Sequence, residues 1–235
     1  MSYFVIGTDT GVGKTLISCA LLHAFAAQGC TVAGMKPVAA GCDEDGLNDD
    51  VKKLRAATNT FASLGQINPY SFTLPIAPHI ASRLAGVSIN FERIVESYKE
   101  LAAQAEVVIV EGAGGFLVPL NNTQDSADLA VELDIPVILV VGMRLGCLNH
   151  ALLTIQAINV SGLHCAGWVA NVIDADMAVL NENIQALQQR IKAPLLGVIP
   201  HQAIPDPMQT AALIDLKLLS PITSDILPSN HSHPS

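Results

Sequence analysis

With 235 residues the chain is long enough for one well-buried domain, and its 50% apolar but only 4% aromatic content dictates a core of Val, Ile, Leu and Ala. Twelve Lys and Arg against 21 Asp and Glu give a formal net charge of −9, which argues against a broad face for nucleic-acid phosphates but leaves room for a local basic pocket. Cys19, Cys30, Cys42, Cys147 and Cys165 are scattered without a Cys-x-x-Cys pair, so neither a zinc site nor a disulfide framework is expected, and a reducing compartment fits.

In chain order, a short apolar run at 3–7 reads as a strand. It is too short for a signal peptide or a membrane span, so a soluble, cytosolic protein with no membrane partner is expected. Helical spacing follows at 14–27, a strand at 31–36 and a helix at 49–58. Residues 61–86, with Pro69, Pro75 and Pro78, lack a period and read as a loop with at most short helices, placed to cover the site. Helices at 91–104, 126–133, 148–160 and 178–191 then alternate with strands at 107–111, 137–142, 165–171 and 195–199. Such alternation predicts right-handed βαβ crossovers and a doubly wound, mostly parallel sheet with helices on both faces, in a single α/β domain over 1–219. From Ser220 the composition turns to Ser, Pro, Asn and His, and 220–235 is expected to be a disordered tail in which His231 and His233 have no structural role. Trp168 and Met143, inside apolar runs, are expected in the core.

In open α/β sheets, ligands bind beyond the carboxyl ends of the strands, so the strand-ending loops carry the chemistry. After the first strand comes Thr8-Asp9-Thr10-Gly11-Val12-Gly13-Lys14-Thr15. A glycine-rich loop that opens a helix offers backbone N–H groups and the positive end of the helix dipole to an anion. Gly11 and Gly13 let phosphates approach, Lys14 reaches the outer phosphates, and the Thr15 hydroxyl can complete the shell of a magnesium ion. The loop is a variant of the P-loop, because Thr8 stands five before Gly13 and the glycine falls one residue earlier, at Gly7. ATP and Mg2+ are therefore expected cofactors. Partitioning and septum-placement ATPases carry a signature lysine five residues before the loop lysine, where this chain has Asp9.

The run 106–111 ends in Glu111, followed by Gly112-Ala113-Gly114-Gly115, and an acid at that strand tip is a candidate magnesium ligand. Asp43, Glu44, Asp45, Asp49 and Asp50 read as a solvated acidic loop, from which Asp50, at a helix start, is a candidate third ligand with helix capping as its competing role. Lys36, before Pro37 at the end of the second strand, can neutralise charge on a transferred phosphoryl group, or it can be an exposed strand-end lysine.

These pieces together resemble the dethiobiotin synthetase family over roughly residues 3–202. The resemblance rests on the phosphate loop, Lys36-Pro37-Val38-Ala39, Asn68-Pro69-Tyr70 with Pro78-His79-Ile80, 110–115, Leu145-Gly146-Cys147-Leu148-Asn149-His150, and Ala166-Gly167-Trp168-Val169-Ala170-Asn171. It implies an ATP-dependent ligase that takes up CO2 on 7,8-diaminopelargonate as a carbamate, activates the carbamate with the γ-phosphate of ATP, and closes the ureido ring. By the same resemblance Lys14 and Lys36 are catalytic, and Thr15, Asp50 and Glu111 hold the metal. ATP meets Gly11, Val12, Gly13, Lys14, Thr15, Leu16, Asp50, Glu111, Gly112, Ala113 and Gly114, with Asn171, Val172, Pro200, His201 and Gln202 around adenine. Substrate meets Thr10, Lys36, Ala40 and the helix start Leu145, Gly146, Cys147, Leu148 and Asn149, which in the family binds the substrate carboxylate across a homodimer interface. The chain departs from the family pattern at Gly11, where many members have glutamate, at Ala40, where many have serine, and at His201, where an aromatic is frequent. Two other readings are a cobyrinate-type amide-forming synthetase, which needs a glutaminase portion for which there is no spare length, and a regulatory ATPase switch of the partitioning type.

Overall fold

The computed structural model describes residues 1–219, so the expectation of a disordered tail at 220–235 lies outside the described residues. The described chain runs β1 (Ser2–Gly7), α1 (Lys14–Ala27), β2 (Val32–Met35), β3 (Val38–Ala40), α2 (Asp49–Ala57), α3 (Leu64–Ile67), β4 (Tyr70–Phe72), α4 (Pro78–Leu84), α5 (Phe91–Gln104) and β5 (Val107–Glu111). It continues with α6 (Ser126–Leu133), β6 (Val137–Met143), α7 (Cys147–Val160), β7 (Cys165–Val172), α8 (Leu180–Gln188), β8 (Leu195–Ile199), α9 (Pro207–Ala211) and a 3-10 turn at Leu216–Leu218.

Six strands form one parallel sheet in the order β2-β5-β1-β6-β7-β8. Every residue of β2, β5 and β6 is buried, which is why these strands appear in the sequence as unbroken apolar runs rather than as alternating ones. Successive side chains still go to opposite faces. Phe4, Ile6, Val108, Val110, Leu139, Val141 and Trp168 join one core layer. Tyr3, Val5, Ile109, Ile138, Val140 and Val169 join the other, under α1. Trp168 and Met143 are fully buried.

Residues 61–86 depart from the expectation of a loop. Besides the short α3 and α4 they contain β4, which pairs in parallel with β3 in a separate two-stranded sheet. This segment packs beside the end of β2 and fixes the backbone of Lys36. Lys36 N–H donates to the Ile67 carbonyl at 2.7 Å, and the buried Asn68 amide donates to the carbonyls of Lys36 at 2.7 Å and Tyr70 at 2.9 Å.

Gly34 in β2 lets α2 lie close to the sheet. A Cβ there would stand 3.0 Å from Leu54 Cβ on α2 and 3.1 Å from Leu22 Cδ1 on α1. Replacing Gly34 with Val overfills that space and is expected to lower unfolding stability by about 1–3 kcal/mol. A urea midpoint unchanged from wild type would refute the close-packing role.

Candidate active site

The loop between β1 and α1 is shaped by two glycines in the left-handed region, Gly11 at φ 74° and Gly13 at φ 94°. Gly13 is required twice over, because a Cβ there would also fall 2.2 Å from Asn171 Nδ2. No side chain caps α1, its first turn carries no acid, and its first amide bonded to the main chain is that of Ile17, which donates to Gly13 O. The amides of Lys14, Thr15 and Leu16 are thus free to meet an anion. Lys14 folds over the loop and donates from Nζ to Asp9 O at 2.9 Å. Burial, together with the neighbouring Lys36 charge, lowers the Lys14 pKa to about 8.

Next to this loop, four side chains from four elements converge. Lys36, just past β2, donates from Nζ to Glu111 Oε1 at 2.6 Å, to Asp50 Oδ2 at 3.2 Å and to Gly112 O at 3.2 Å, which uses all three ammonium hydrogens. Thr15 Oγ1 donates to the same Glu111 Oε1 at 2.9 Å. Burial pulls the Lys36 pKa down, but the carboxylates of Glu111 and Asp50 outweigh it and hold the ammonium above the ordinary lysine value. Burial raises Asp50, yet Lys36 overrides this and leaves its carboxyl below the usual range. Asp50 does not cap its helix. Asn48 does, accepting from Asp50 N–H at 2.9 Å, while its amide donates to the Ala40 carbonyl at 3.0 Å. The Asp50 carboxylate is thereby left to face Lys36, and Ala40 is tied to the start of α2.

Glu111 Oε2 is buried and has no hydrogen-bond partner among the described residues. An orphaned carboxylate oxygen beside a threonine hydroxyl and a second carboxylate is the donor set that a hard, oxygen-seeking cation takes. Thr15, Asp50 and Glu111 therefore fit magnesium, with the Lys36 ammonium now between the two acids.

The remaining expected site residues fall into three groups. Thr10 lies against the 112–115 loop, since a Cβ on Gly114 would come 3.4 Å from Thr10 Oγ1. Ala113 and Gly114, after β5, are half-buried at the same strand end, and Gly112, beside them, is buried. At the start of α7, Gly146 at φ 92° is the N-cap, without a side-chain cap, and the first helical bond is His150 N–H to Gly146 O. Leu145 and Asn149 are exposed there, and the amides of Leu148 and Asn149 precede that first bond. Cys147 between them is buried, and its N–H donates to Arg144 O at 3.0 Å.

Among the residues expected around adenine, two side chains bond to the protein itself. Asn171 Nδ2 donates to Val12 O at 2.8 Å, clamping the phosphate loop to β7, and its Oδ1 alone is without a partner among the described residues. Gln202 donates to Thr210 Oγ1 at 3.0 Å and accepts from Asp206 N–H at 2.7 Å, so it shapes the turn into α9. Pro200 and His201 are exposed after β8, and Val172 is buried at the end of β7. Arg144, which belongs to no motif, joins the site through its guanidinium, which meets Asp9 Oδ2 at 2.6 Å.

A parallel sheet with this loop beyond its central strand, an uncapped helix behind the loop, and an acid at the neighbouring strand tip together define a P-loop nucleotide-binding α/β protein. The model of the AAA domain family matches residues 1–209. A protein of Nitrosospira multiformis named ATP-dependent dethiobiotin synthetase is 56% identical over 91% of this chain and 94% of its own length. One of the same name from Aromatoleum aromaticum is 54% identical over 92% and 97%. The chain belongs to the ATP-dependent dethiobiotin synthetase family. Among solved structures, the MinC:MinD cell division complex of Aquifex aeolicus superposes with a TM-score of 0.54 at 15% identity, covering 89% of this chain and 86% of that one, a likeness of fold alone.

Lys14 supplies a test of the loop geometry. Below about pH 8 its ammonium is charged; above that value the free protein has lost the proton. A bound polyphosphate raises the pKa, so just above pH 8 nucleotide binding should take up protons and affinity should fall as pH rises. Calorimetry in buffers of different ionisation enthalpy measures the uptake, which Lys14→Met should abolish; equal uptake in that variant would assign the proton elsewhere.

Proposed function

We propose that the chain is an ATP-dependent dethiobiotin synthetase that carboxylates 7,8-diaminopelargonate with CO2 and closes the ureido ring. The observation that carries this reading is the convergence of Lys14, Lys36, Thr15, Asp50 and Glu111 at one end of the sheet, within a chain of this family. One amine adds to CO2 as a carbamate. The carbamate oxygen attacks the γ-phosphorus and ADP leaves; the second amine then attacks the resulting carbamic-phosphoric anhydride and expels phosphate as the ring closes.

A carbamate is a weak nucleophile and an anion approaching another anion, so catalysis must come from positioning and charge neutralisation. The free amides of Lys14, Thr15 and Leu16, with Gly11, Val12 and Gly13, cradle the phosphates, and Lys14 exchanges Asp9 O for a phosphate oxygen. Gly112, Ala113 and Gly114 flank the phosphates from the next strand. Lys36 holds the reacting carbamate oxygen, with Thr10 and the Ala40 edge beside the diamine. Magnesium held by Thr15, Asp50 and Glu111 would neutralise phosphate charge. Asn171 Oδ1, Val172, Pro200 and His201 line the base side, with Gln202 as scaffold. The open amides at Leu148 and Asn149, behind Leu145 and Gly146, receive the substrate carboxylate. Leu153 and Val160 expose one apolar stripe of α7, which supports a homodimer. Among the described residues no helix is long and apolar enough to cross a membrane, and with the unpaired cysteines this supports a cytoplasmic protein. A regulatory switch of the partitioning type finds no support at position 9, where an aspartate paired with Arg144 occupies the signature-lysine site.

Purified protein given the diamine, bicarbonate and MgATP should form dethiobiotin, ADP and phosphate in equal amounts. ATP hydrolysis indifferent to the diamine, with no cyclic urea formed, would sink the assignment. Lys36→Gln should keep nucleotide affinity while losing at least about 100-fold in kcat. Because two carboxylates lose their counter-charge, the same variant should also lose about 3–5 kcal/mol of stability. Thermal denaturation run beside the assay separates the two effects, and unchanged turnover would remove Lys36 from the chemistry.

A further inference from the structure

We propose that Asp9 and Arg144 form a strut that sets the start of α7 against the phosphate loop, making both of them positioning residues for the diamine end of the reaction. The inference rests on the preceding reading for its kinetic consequence and on geometry for the strut itself. Asp9 acts in three directions: Oδ1 accepts from Thr10 N–H at 2.7 Å, Oδ2 from Arg144 at 2.6 Å, and its main-chain oxygen from the Lys14 ammonium at 2.9 Å. Arg144 acts in two. Its carbonyl accepts from Cys147 N–H, closing the turn that begins α7, while its guanidinium reaches back to Asp9.

The residues between them and α7 would otherwise be loosely held. Gly146 caps the helix with no side chain, and Leu145 is 95% exposed. Among the described residues, the other side-chain tie between the two loops is Gly142 N–H to Thr8 Oγ1, a long 3.4 Å contact that lies upstream of the turn. The Thr10 amide and the Arg144 guanidinium hold the Asp9 carboxyl below its ordinary value, so the strut stays ionised at neutral pH.

Side chains of Asp9 and Arg144 are 46% and 42% exposed, so water screens the pair. A pair of that kind moves an equilibrium by about fivefold at most, too little to decide the fold and enough to decide where a loop sits.

The test uses the full chain with Asp9→Asn, which keeps an acceptor for Thr10 but loses the charge, Arg144→Ala, Arg144→Lys, and the double variant Asp9→Asn with Arg144→Ala. Amide hydrogen exchange at Cys147 and His150 should quicken by up to about fivefold in both single variants, with Kd for ADP unchanged. KM for the diamine should rise by a similar factor while KM for ATP stays at the wild-type value. Arg144→Lys should restore most of the loss, and the double variant should be no worse than Arg144→Ala. Additive losses in the double variant, equal rises in both KM values, or unaltered exchange would overturn the strut. Should wild-type protein make no cyclic urea, the functional reading fails on its own, and the exchange measurements still decide whether the strut exists.

Discussion

The ammonium of Lys36, buried between Glu111 and Asp50, is the contact around which the strand tips are arranged. Neither Lys36 nor Glu111 could be buried there alone, because each would shed its charge or pull in water, and the partly exposed Asp50 completes the set. Together they neutralise one another, and meeting this condition fixes several elements at once. β2 must lie beside β5, α2 must approach β2 closely enough to present Asp50, and Thr15 must enter from the first turn of α1. Adding Lys14, the cluster holds two positive and two negative side chains. It is close to neutral before any phosphate arrives, so a polyphosphate gains little from side chains alone, and a cation that travels with it supplies the missing positive charge.

Two helix starts repeat one design on neighbouring strands. Gly13 after β1 and Gly146 after β6 both sit in the left-handed region, near φ 94° and 92°, and neither helix receives a side-chain cap. Each therefore points unpaired amides past the carboxyl edge of the sheet, where an anion is favoured. Adjacent central strands place the two starts side by side along that edge, since β1 pairs directly with β6. Asp9 and Arg144 stand on the line between them.

Much of this was legible because the main sheet is parallel and buried on both faces. Such strands are written as continuous apolar runs, and the expected bounds of all six agree with the structure to within one or two residues. Strand-end reasoning also pointed to Lys36 and Glu111, and the acidic loop before a helix to Asp50; the structure brings both acids onto the Lys36 ammonium. The small sheet escaped notice because Val38–Ala40 and Tyr70–Phe72 are three residues long, each just after a proline, and pair only with each other. The side chains of Asn171 and Gln202, and the Asp9 contact with Arg144, were illegible for a different reason. Residue type reveals what a group can bond but not which partner the fold brings to it, and Asn171 meets Val12 across 159 positions. Of these, the asparagine clamp alone had a local hint, in that Gly13 leaves space that some neighbour must fill.

The strand order also governs how the chain can be made. β1 lies at the centre of the sheet, yet both its partners come far later, β5 ending at Glu111 and β6 at Met143. During synthesis the phosphate loop is therefore among the first segments to emerge and among the last to gain its walls. Until Glu111 has left the ribosome β1 has two unpaired edges, and until Met143 follows it still has one. Dependence on chaperones during translation should thus be concentrated in the first 143 residues and fade once β6 has docked.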